Sequence, residues 1–119
     1  MIIVVDDDAD QRLTVRMALE LAGYRVREAA NGAEALALAR ERAAPFLVTD
    51  IFMPESDGLE AIAAFRREFP QTKIVAVSGG GQRAKGDYLA AARLMGVDAT
   101  LEKPFDVERL LGVLRELAK

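Results

Sequence analysis

The stretch that decides the fold is IIVVDDD, residues 2–8, in which four aliphatic residues lead directly into three carboxylates. A continuous apolar run of this length is typical of a strand that is covered on both faces of a parallel sheet. Similar runs follow as FLV at 46–48, IVAV at 74–77 and a weaker ATL at 99–101. The segment YRVRE, residues 24–28, alternates apolar and charged residues, which indicates a half-exposed edge strand.

The segments between these runs have apolar residues at the spacing of an α-helix. Leu13, Met17 and Leu21 recur every four residues, and the last segment carries a wide leucine stripe. Capping signals agree with this division, with N-caps predicted at Asp8, Asn31, Asp87 and Asp106 and C-terminal glycines at Gly23 and Gly96. The predicted strands are 2–6, 24–29, 46–50, 73–78 and 98–102, and the predicted helices are 9–22, 32–43, 57–69, 86–95 and 106–118.

Strict alternation of strand and helix predicts an α/β fold, a three-layer sandwich with a five-stranded parallel sheet between helices. Right-handed crossovers leave few topologies. With the second strand at an edge, the strand order 2-1-3-4-5 fits, and another doubly wound order stays open. At 119 residues, the chain is expected to form a single domain.

The composition narrows the chemistry. The net charge of −3 provides no basic surface, so binding to nucleic acid by this chain alone is not expected. The chain has no cysteine and no histidine, which excludes disulfides, thiolate nucleophiles and Ser/His/Asp relays. Without cysteine and histidine, the side chains and backbone offer a metal ion mainly oxygen ligands. Oxygen ligands favour a hard cation such as Mg²⁺. No transmembrane or secretory segment is visible, so we expect a cytoplasmic protein that does not bind membranes.

Polar side chains follow the predicted central strands and the last strand. Asp6 and Asp7 end the first strand, Asp50 the third, Ser78 the fourth, and Lys103 follows the fifth. In this topology, ligands bind beyond the carboxyl ends of the strands, where the strand order reverses. Each residue alone has a simpler explanation: Ser78 as a strand-end hydroxyl and Lys103 as a solvated charge. Their recurrence at strand ends favours a shared site.

A divalent cation would explain the clustered acids. At an effective dielectric of about 20 and a separation of about 5 Å, two carboxylates repel by about 3 kcal/mol. Mg²⁺ between Asp6, Asp7 and Asp50 would offset this repulsion. A carboxylate beside such an ion can act as a nucleophile toward a phosphoryl group, with Lys103 and Ser78 contacting the phosphoryl oxygens. Asp8 is instead predicted to cap the first helix.

Four segments in this order resemble the receiver domain of two-component response regulators over essentially the whole chain: VVDDD, TDIFMPESDGLE, AVSGGG and LEKPF. The resemblance implies a flavodoxin-like fold and a single receiver domain over residues 1–119. It also implies a role for each matching residue. Asp50 would be the phosphoacceptor, Ser78 and Lys103 would assist catalysis, and Mg²⁺ would be held by Asp6, Asp7, Asp50 and the backbone carbonyl of Phe52.

The resemblance also implies a switch and a lysine-orienting proline. Ser78 and Thr100 occupy the two switch positions, although family members usually have an aromatic residue where this chain has Thr100. A small β-branched side chain buries less area than an aromatic ring, so the usual rotation of that ring is not expected here. Pro104 matches the family's cis-proline after the lysine.

The resemblance implies a phosphorylation-dependent signalling module rather than an enzyme. Its phosphoryl donor would be a sensor histidine kinase or a histidine phosphotransfer protein. It would act on a downstream target protein or on an output domain missing from this chain, as a monomer or weak homodimer. Two alternatives stay open: a small Mg²⁺-dependent phosphohydrolase that uses the N-terminal Asp cluster, and a degenerate receiver that binds a partner without phosphorylation.

Overall fold

The structure is a computed structural model that describes residues 1–53, 56–78, 85–103 and 106–119, and of residues 52–53, 56–58 and 85–89 only the backbone. The strands are β1 (Ile2–Val5), β2 (Val26–Ala29), β3 (Phe46–Asp50), β4 (Phe52–Met53), β5 (Ser56–Asp57), β6 (Lys73–Ser78) and β7 (Ala99–Glu102). The helices are α1 (Ala9–Leu21), α2 (Gly32–Glu41), α3 (Gly58–Glu68), α4 (Lys85–Leu94) and α5 (Val107–Leu117).

The main sheet has five parallel strands in the order β2-β1-β3-β6-β7, which confirms the predicted order 2-1-3-4-5. The predicted boundaries differ from the observed ones by no more than two residues. Two strands were not predicted: β4 and β5 form a short antiparallel pair in which Phe52 lies opposite Asp57. Strands of two residues are too short to show any periodicity, so the sequence pattern could not indicate them.

The strand β1 explains why the fold has three layers. All four of its side chains are buried, and they point alternately to the two faces of the sheet. Ile3 and Val5 pack in a core beneath α2, α3 and α4, which contribute residues such as Ile62 and Phe65. Ile2 and Val4 pack in a second core beneath α1 and α5. Burial on both faces accounts for the unbroken apolar run in the sequence.

Three of the four predicted N-caps are confirmed. Asp8 accepts hydrogen bonds from the backbone N–H groups of Asp10 and Gln11, and Asn31 and Asp106 cap α2 and α5 in the same way. The prediction for Asp87 is wrong, because α4 begins at Lys85 and so includes Asp87 in its first turn. Lys85 and Gly86 precede the apolar period of this helix and gave no sign of the earlier start.

The apolar stripe of α1 faces solvent rather than the core. Leu13, Met17 and Leu21 are 48%, 56% and 90% exposed, whereas Leu19 is buried and Val15 packs beside it. The spacing of four residues predicted the helix correctly, but two rows of apolar residues in α1 have that spacing. The row of Val15 and Leu19 meets the core, and the row of Leu13, Met17 and Leu21 does not. In the part of the chain that the structure describes, no helix is both long enough and apolar enough to cross a membrane.

Candidate functional site

The sheet brings the predicted acidic residues to one edge. The backbone N–H of Asp6 bonds to the carbonyl oxygen of Ala29 at 3.2 Å, which extends the β1–β2 pairing by one residue. Asp50 is the last residue of β3 and lies beside Val77 of β6. Because parallel strands share one carboxyl edge, the side chains of Asp6 and Asp50 at the ends of β1 and β3 meet there.

The acidic cluster has the dimensions of a cation site. Asp6, Asp7 and Asp50 each offer a carboxylate oxygen, and these oxygens lie within 4.8 Å of one another. Asp6 and Asp50 are buried and Asp7 is exposed, so the cluster opens toward solvent on one side. The donors are all hard oxygens, which suit Mg²⁺. The residues present therefore fit the cation that the sequence predicts.

Lys103 is drawn into the same cluster. Its Nζ donates to Asp6 Oδ2 at 3.1 Å and to Asp50 Oδ2 at 3.0 Å. Burial lowers the pKa of Lys103, but the charges and hydrogen bonds of Asp50 and Asp6 outweigh burial, so the net pKa is raised. The ammonium group therefore stays protonated at neutral pH and partly neutralises the two buried carboxylates.

Ser78 ends β6 at the same edge. Its backbone carbonyl accepts the N–H of Lys103 at 2.9 Å, so this pair ties the end of β6 to the segment that carries Lys103. The side chain is fully buried, and its Oγ has no hydrogen-bond partner among the described residues. A buried hydroxyl without a partner costs about 1–3 kcal/mol, so this atom is a candidate to contact a ligand.

Thr100 lies away from the carboxylates. It is half-buried in the middle of β7, beside Ala76 of β6. Its Oγ1 accepts a hydrogen bond from Arg93 Nη2 of α4 at 3.0 Å. The side chain predicted at the second switch position is thus held to the neighbouring helix. Its switching role stays a prediction.

Two predictions at this edge fall partly or wholly outside the described residues. The backbone of Phe52 pairs within β4 and β5, so its carbonyl as a cation ligand stays a prediction. Pro104 lies outside the described residues, as do Gly79, Gly80 and Gly81.

Sequence analysis missed two residues of α1 that reach the site. Gln11 Oε1 accepts a hydrogen bond from Lys103 Nζ at 2.5 Å. Arg12 donates through Nη1 to the backbone carbonyl of Asp6 at 2.6 Å and through Nε to Glu28 Oε1 at 2.9 Å. Both residues lie in the first turn after the Asp8 cap, and nothing in their spacing separates them from ordinary polar residues of a helix surface.

Glu28 on the edge strand β2 anchors this part of α1. Arg16 Nη1 donates to Glu28 Oε2 at 2.7 Å. The hydrogen bond from Arg16 is the largest effect on the pKa of the Glu28 carboxyl and lowers it. Burial raises this pKa and Arg12 lowers it further, so that the net pKa is below its usual value. Glu28 therefore stays ionised and holds Arg12 against the backbone of Asp6, which fixes one side of the acidic cluster.

The comparisons with known proteins agree with this geometry. The family model of the response regulator receiver domain matches residues 2–115. The chain is 33% identical over 119 residues to the chemotaxis protein CheY of Thermotoga maritima, a match that covers 99% of this chain and 97% of that protein. The chain spans about half the length of several longer relatives that are transcriptional regulators, 49% in each case.

Two solved structures extend the comparison. The receiver domain of NtrX from Brucella abortus aligns with a TM-score of 0.90 and 31% identity, covering 98% of this chain and 97% of that one. A response regulator from Burkholderia pseudomallei, whose structure contains a phosphorylated aspartic acid, a calcium ion and citrate, aligns with a TM-score of 0.84 and 33% identity, covering 95% of this chain and 65% of that one.

The chain therefore belongs to the family of response regulator receiver domains. Members of this family are regulatory domains of two-component systems that signal through phosphorylation, and they generally bind Mg²⁺ at an Asp cluster. The phosphohydrolase alternative is not supported. The structure gives a physical reason, since the Asp8 carboxylate that such a motif would need is exposed and caps α1.

Proposed function

We propose that residues 1–119 form one receiver domain in which Asp50 accepts a phosphoryl group while Mg²⁺ is bound by Asp6, Asp7 and Asp50. The observation that carries this proposal is the contact of one ammonium group, Lys103 Nζ, with carboxylates at the ends of two neighbouring strands. The family match over residues 2–115 and the phosphorylated aspartic acid of the Burkholderia relative support it.

The environment of Asp50 suits a nucleophile. Its side chain is 8% exposed, so few waters compete for its oxygens. In the transfer, an oxygen of Asp50 forms a bond to phosphorus as the bond from phosphorus to the donor's histidine nitrogen breaks, and the imidazole leaves with that electron pair. Mg²⁺, when bound, supplies positive charge that offsets repulsion between the carboxylates and the phosphoryl oxygens. Lys103 adds a fixed positive charge at the same place.

Ser78 supplies a hydroxyl for the phosphorylated state. Its buried Oγ lacks a partner among the described residues, and its O–H could donate a hydrogen bond to a phosphoryl oxygen on Asp50. The orphaned hydroxyl thus favours the phosphorylated form, because the cost of burying it unpaired is removed there. The switching role of Thr100 stays a prediction.

The donor that we propose is the phosphohistidine of a sensor histidine kinase or of a histidine phosphotransfer protein. The modified domain would signal through a downstream target protein or an output domain, and it would catalyse only its own phosphorylation and dephosphorylation. A monomer or weak homodimer and a cytoplasmic location stay predictions.

A mass measurement tests the proposal. After incubation with acetyl phosphate or phosphoramidate in Mg²⁺, the wild-type protein is expected to gain the mass of one phosphoryl group. In EDTA it is expected to gain none, because the carboxylates then repel the anionic donor without compensation. A protein that stays unmodified in Mg²⁺, or that is labelled equally in EDTA, would contradict the proposal.

Asp7 allows a test of the cation site that does not require phosphorylation. Saturating Mg²⁺ is expected to stabilise the wild-type protein by about 2.7 kcal/mol at a concentration of about 100 times Kd. The Asp7→Asn variant removes one exposed ligand and is expected to lose most of this stabilisation. Thermal unfolding with and without Mg²⁺ measures both.

The matched control for this test is Asp8→Asn. Asp8 is also exposed and lies beside Asp7, but its carboxylate caps α1, and asparagine is an equally good N-cap. This variant should keep the full response to Mg²⁺. Equal responses in the Asp7→Asn variant and the wild-type protein would argue against Asp7 as a ligand.

A further inference from the structure

Lys103 has a third partner that the proposed phosphotransfer does not use. Besides Asp6 and Asp50, its Nζ donates to Gln11 Oε1, at 2.5 Å the shortest of the three contacts. An ammonium group has three N–H bonds, and the described residues place three side-chain acceptors within hydrogen-bond distance of this nitrogen. A phosphoryl oxygen on Asp50 would be a further acceptor at the same nitrogen, so one present partner must be displaced.

Gln11 is the partner that is easiest to displace. Asp6 and Asp50 are buried and carry charge, whereas Gln11 is exposed and neutral. Hydrogen bonds from an ammonium group to a carboxylate are about twice as strong as neutral ones. Gln11 also loses more side-chain entropy on being held, because its side chain is long and lies at the surface.

The two carboxylates can keep Lys103 while they bind a cation. Each carboxylate has about four lone-pair positions on two oxygens. Asp6 already uses both oxygens, since Oδ1 accepts the backbone N–H of Asp8 at 2.9 Å and Oδ2 accepts from Lys103. Neither contact exhausts its oxygen, so occupation of the cation site does not by itself free Nζ.

We propose that Gln11 is a positioning residue that holds the third N–H of Lys103 in the unphosphorylated protein and releases it to a phosphoryl oxygen on Asp50. This inference rests on the proposed function of Asp50. Gln11 acts through Lys103 and stabilises the unmodified state alone, so it restrains phosphorylation. Its release also changes the surface of α1 beside the site, since the exposed amide is then no longer held against Nζ.

Two substitutions at position 11 are expected to act in opposite directions. Gln11→Met keeps the length of the side chain and removes the acceptor, so the phosphorylation rate constant with phosphoramidate at saturating Mg²⁺ is expected to rise by about threefold to tenfold. Gln11→Glu replaces the neutral acceptor with a charged one that holds Lys103 more firmly, so the rate constant is expected to fall by about tenfold.

Gln11→Met is the decisive variant, because a carboxylate at position 11 would also repel the anionic donor. A role of Gln11 in the stability of α1 would not produce effects of opposite sign. Matched controls are Gln71→Met and Gln71→Glu, since Gln71 is exposed and precedes β6 at the opposite edge of the sheet. Both controls should react at the wild-type rate.

The outcomes separate this inference from the proposed function. If the wild-type protein gains no phosphoryl group, the proposed function fails. If the wild-type protein is labelled and Gln11→Met reacts at the same rate or more slowly, the inference about Gln11 fails while the proposed function stands. Labelling of Gln11→Glu at or above the wild-type rate would also overturn the inference.

Discussion

The Asp50→Asn variant is expected to gain no phosphoryl group under conditions that label the wild-type protein completely. An amide oxygen lacks the negative charge of the carboxylate and cannot form the acyl phosphate, so the effect is a loss rather than a reduction. The fold should be retained, because asparagine has nearly the same shape and Lys103 keeps its contact with Asp6. Intact-mass measurement after incubation with phosphoramidate and Mg²⁺ detects the loss.

The Asp8→Asn variant serves as the control for this loss. It removes a neighbouring carboxylate but preserves the helix cap, so labelling should be close to that of the wild-type protein. Stability provides a second readout. Because Asp50→Asn removes one of three clustered carboxylates, its free energy of unfolding without Mg²⁺ should not fall. Full labelling of Asp50→Asn would rule out Asp50 as the acceptor.

The Lys103→Met variant is expected to show the second largest effect. Methionine preserves the unbranched chain but removes the charge that would meet the phosphoryl oxygens. Loss of one preorganised donor typically lowers a rate by about 10²–10³-fold, and we expect a decrease of this size in the phosphorylation rate constant. Time courses with phosphoramidate at saturating Mg²⁺ measure it.

The same variant should also be less stable without Mg²⁺. Asp6 and Asp50 are 7% and 8% exposed and would lose their common counter-ion. Removing one partner of a buried ion pair lowers the free energy of unfolding by about 3–5 kcal/mol. Urea unfolding tests this, and Lys119→Met is the control, since the Lys119 side chain is 73% exposed and pairs only at the surface. A Lys103→Met protein with wild-type stability and rate would contradict the role given to Lys103.

The main sheet was predictable because its central strands β1, β3 and β6 are buried on both faces. Continuous runs such as Ile2–Val5 are typical of strands covered on both faces, and their alternation with helical segments favours parallel strands. The pair of β4 and β5 was not predictable, because two residues carry no pattern. The outward direction of Leu13 and Met17 was also hidden, since the period of a helix does not reveal which apolar row meets the core.

The acidic cluster was predictable from the position of its residues in the chain. Asp6 directly follows β1 and Asp50 ends β3, and parallel strands deliver their carboxyl ends to one edge. Gln11 and Arg12 were missed, because residues of a helix reach the site by packing and not by strand order. The contact of Thr100 with Arg93 was missed for the same reason, since it joins β7 to a neighbouring helix.

The most direct test of the account is to identify the side chain that carries the phosphoryl group in the wild-type protein. Reduction of the labelled protein with borohydride converts an aspartyl phosphate into homoserine, and peptide mass spectrometry then locates the altered residue. We expect a single altered residue, Asp50, and we expect its modification to require Mg²⁺. Modification at Asp6 or Asp8, or a stable phosphate ester on Ser78, would contradict this expectation.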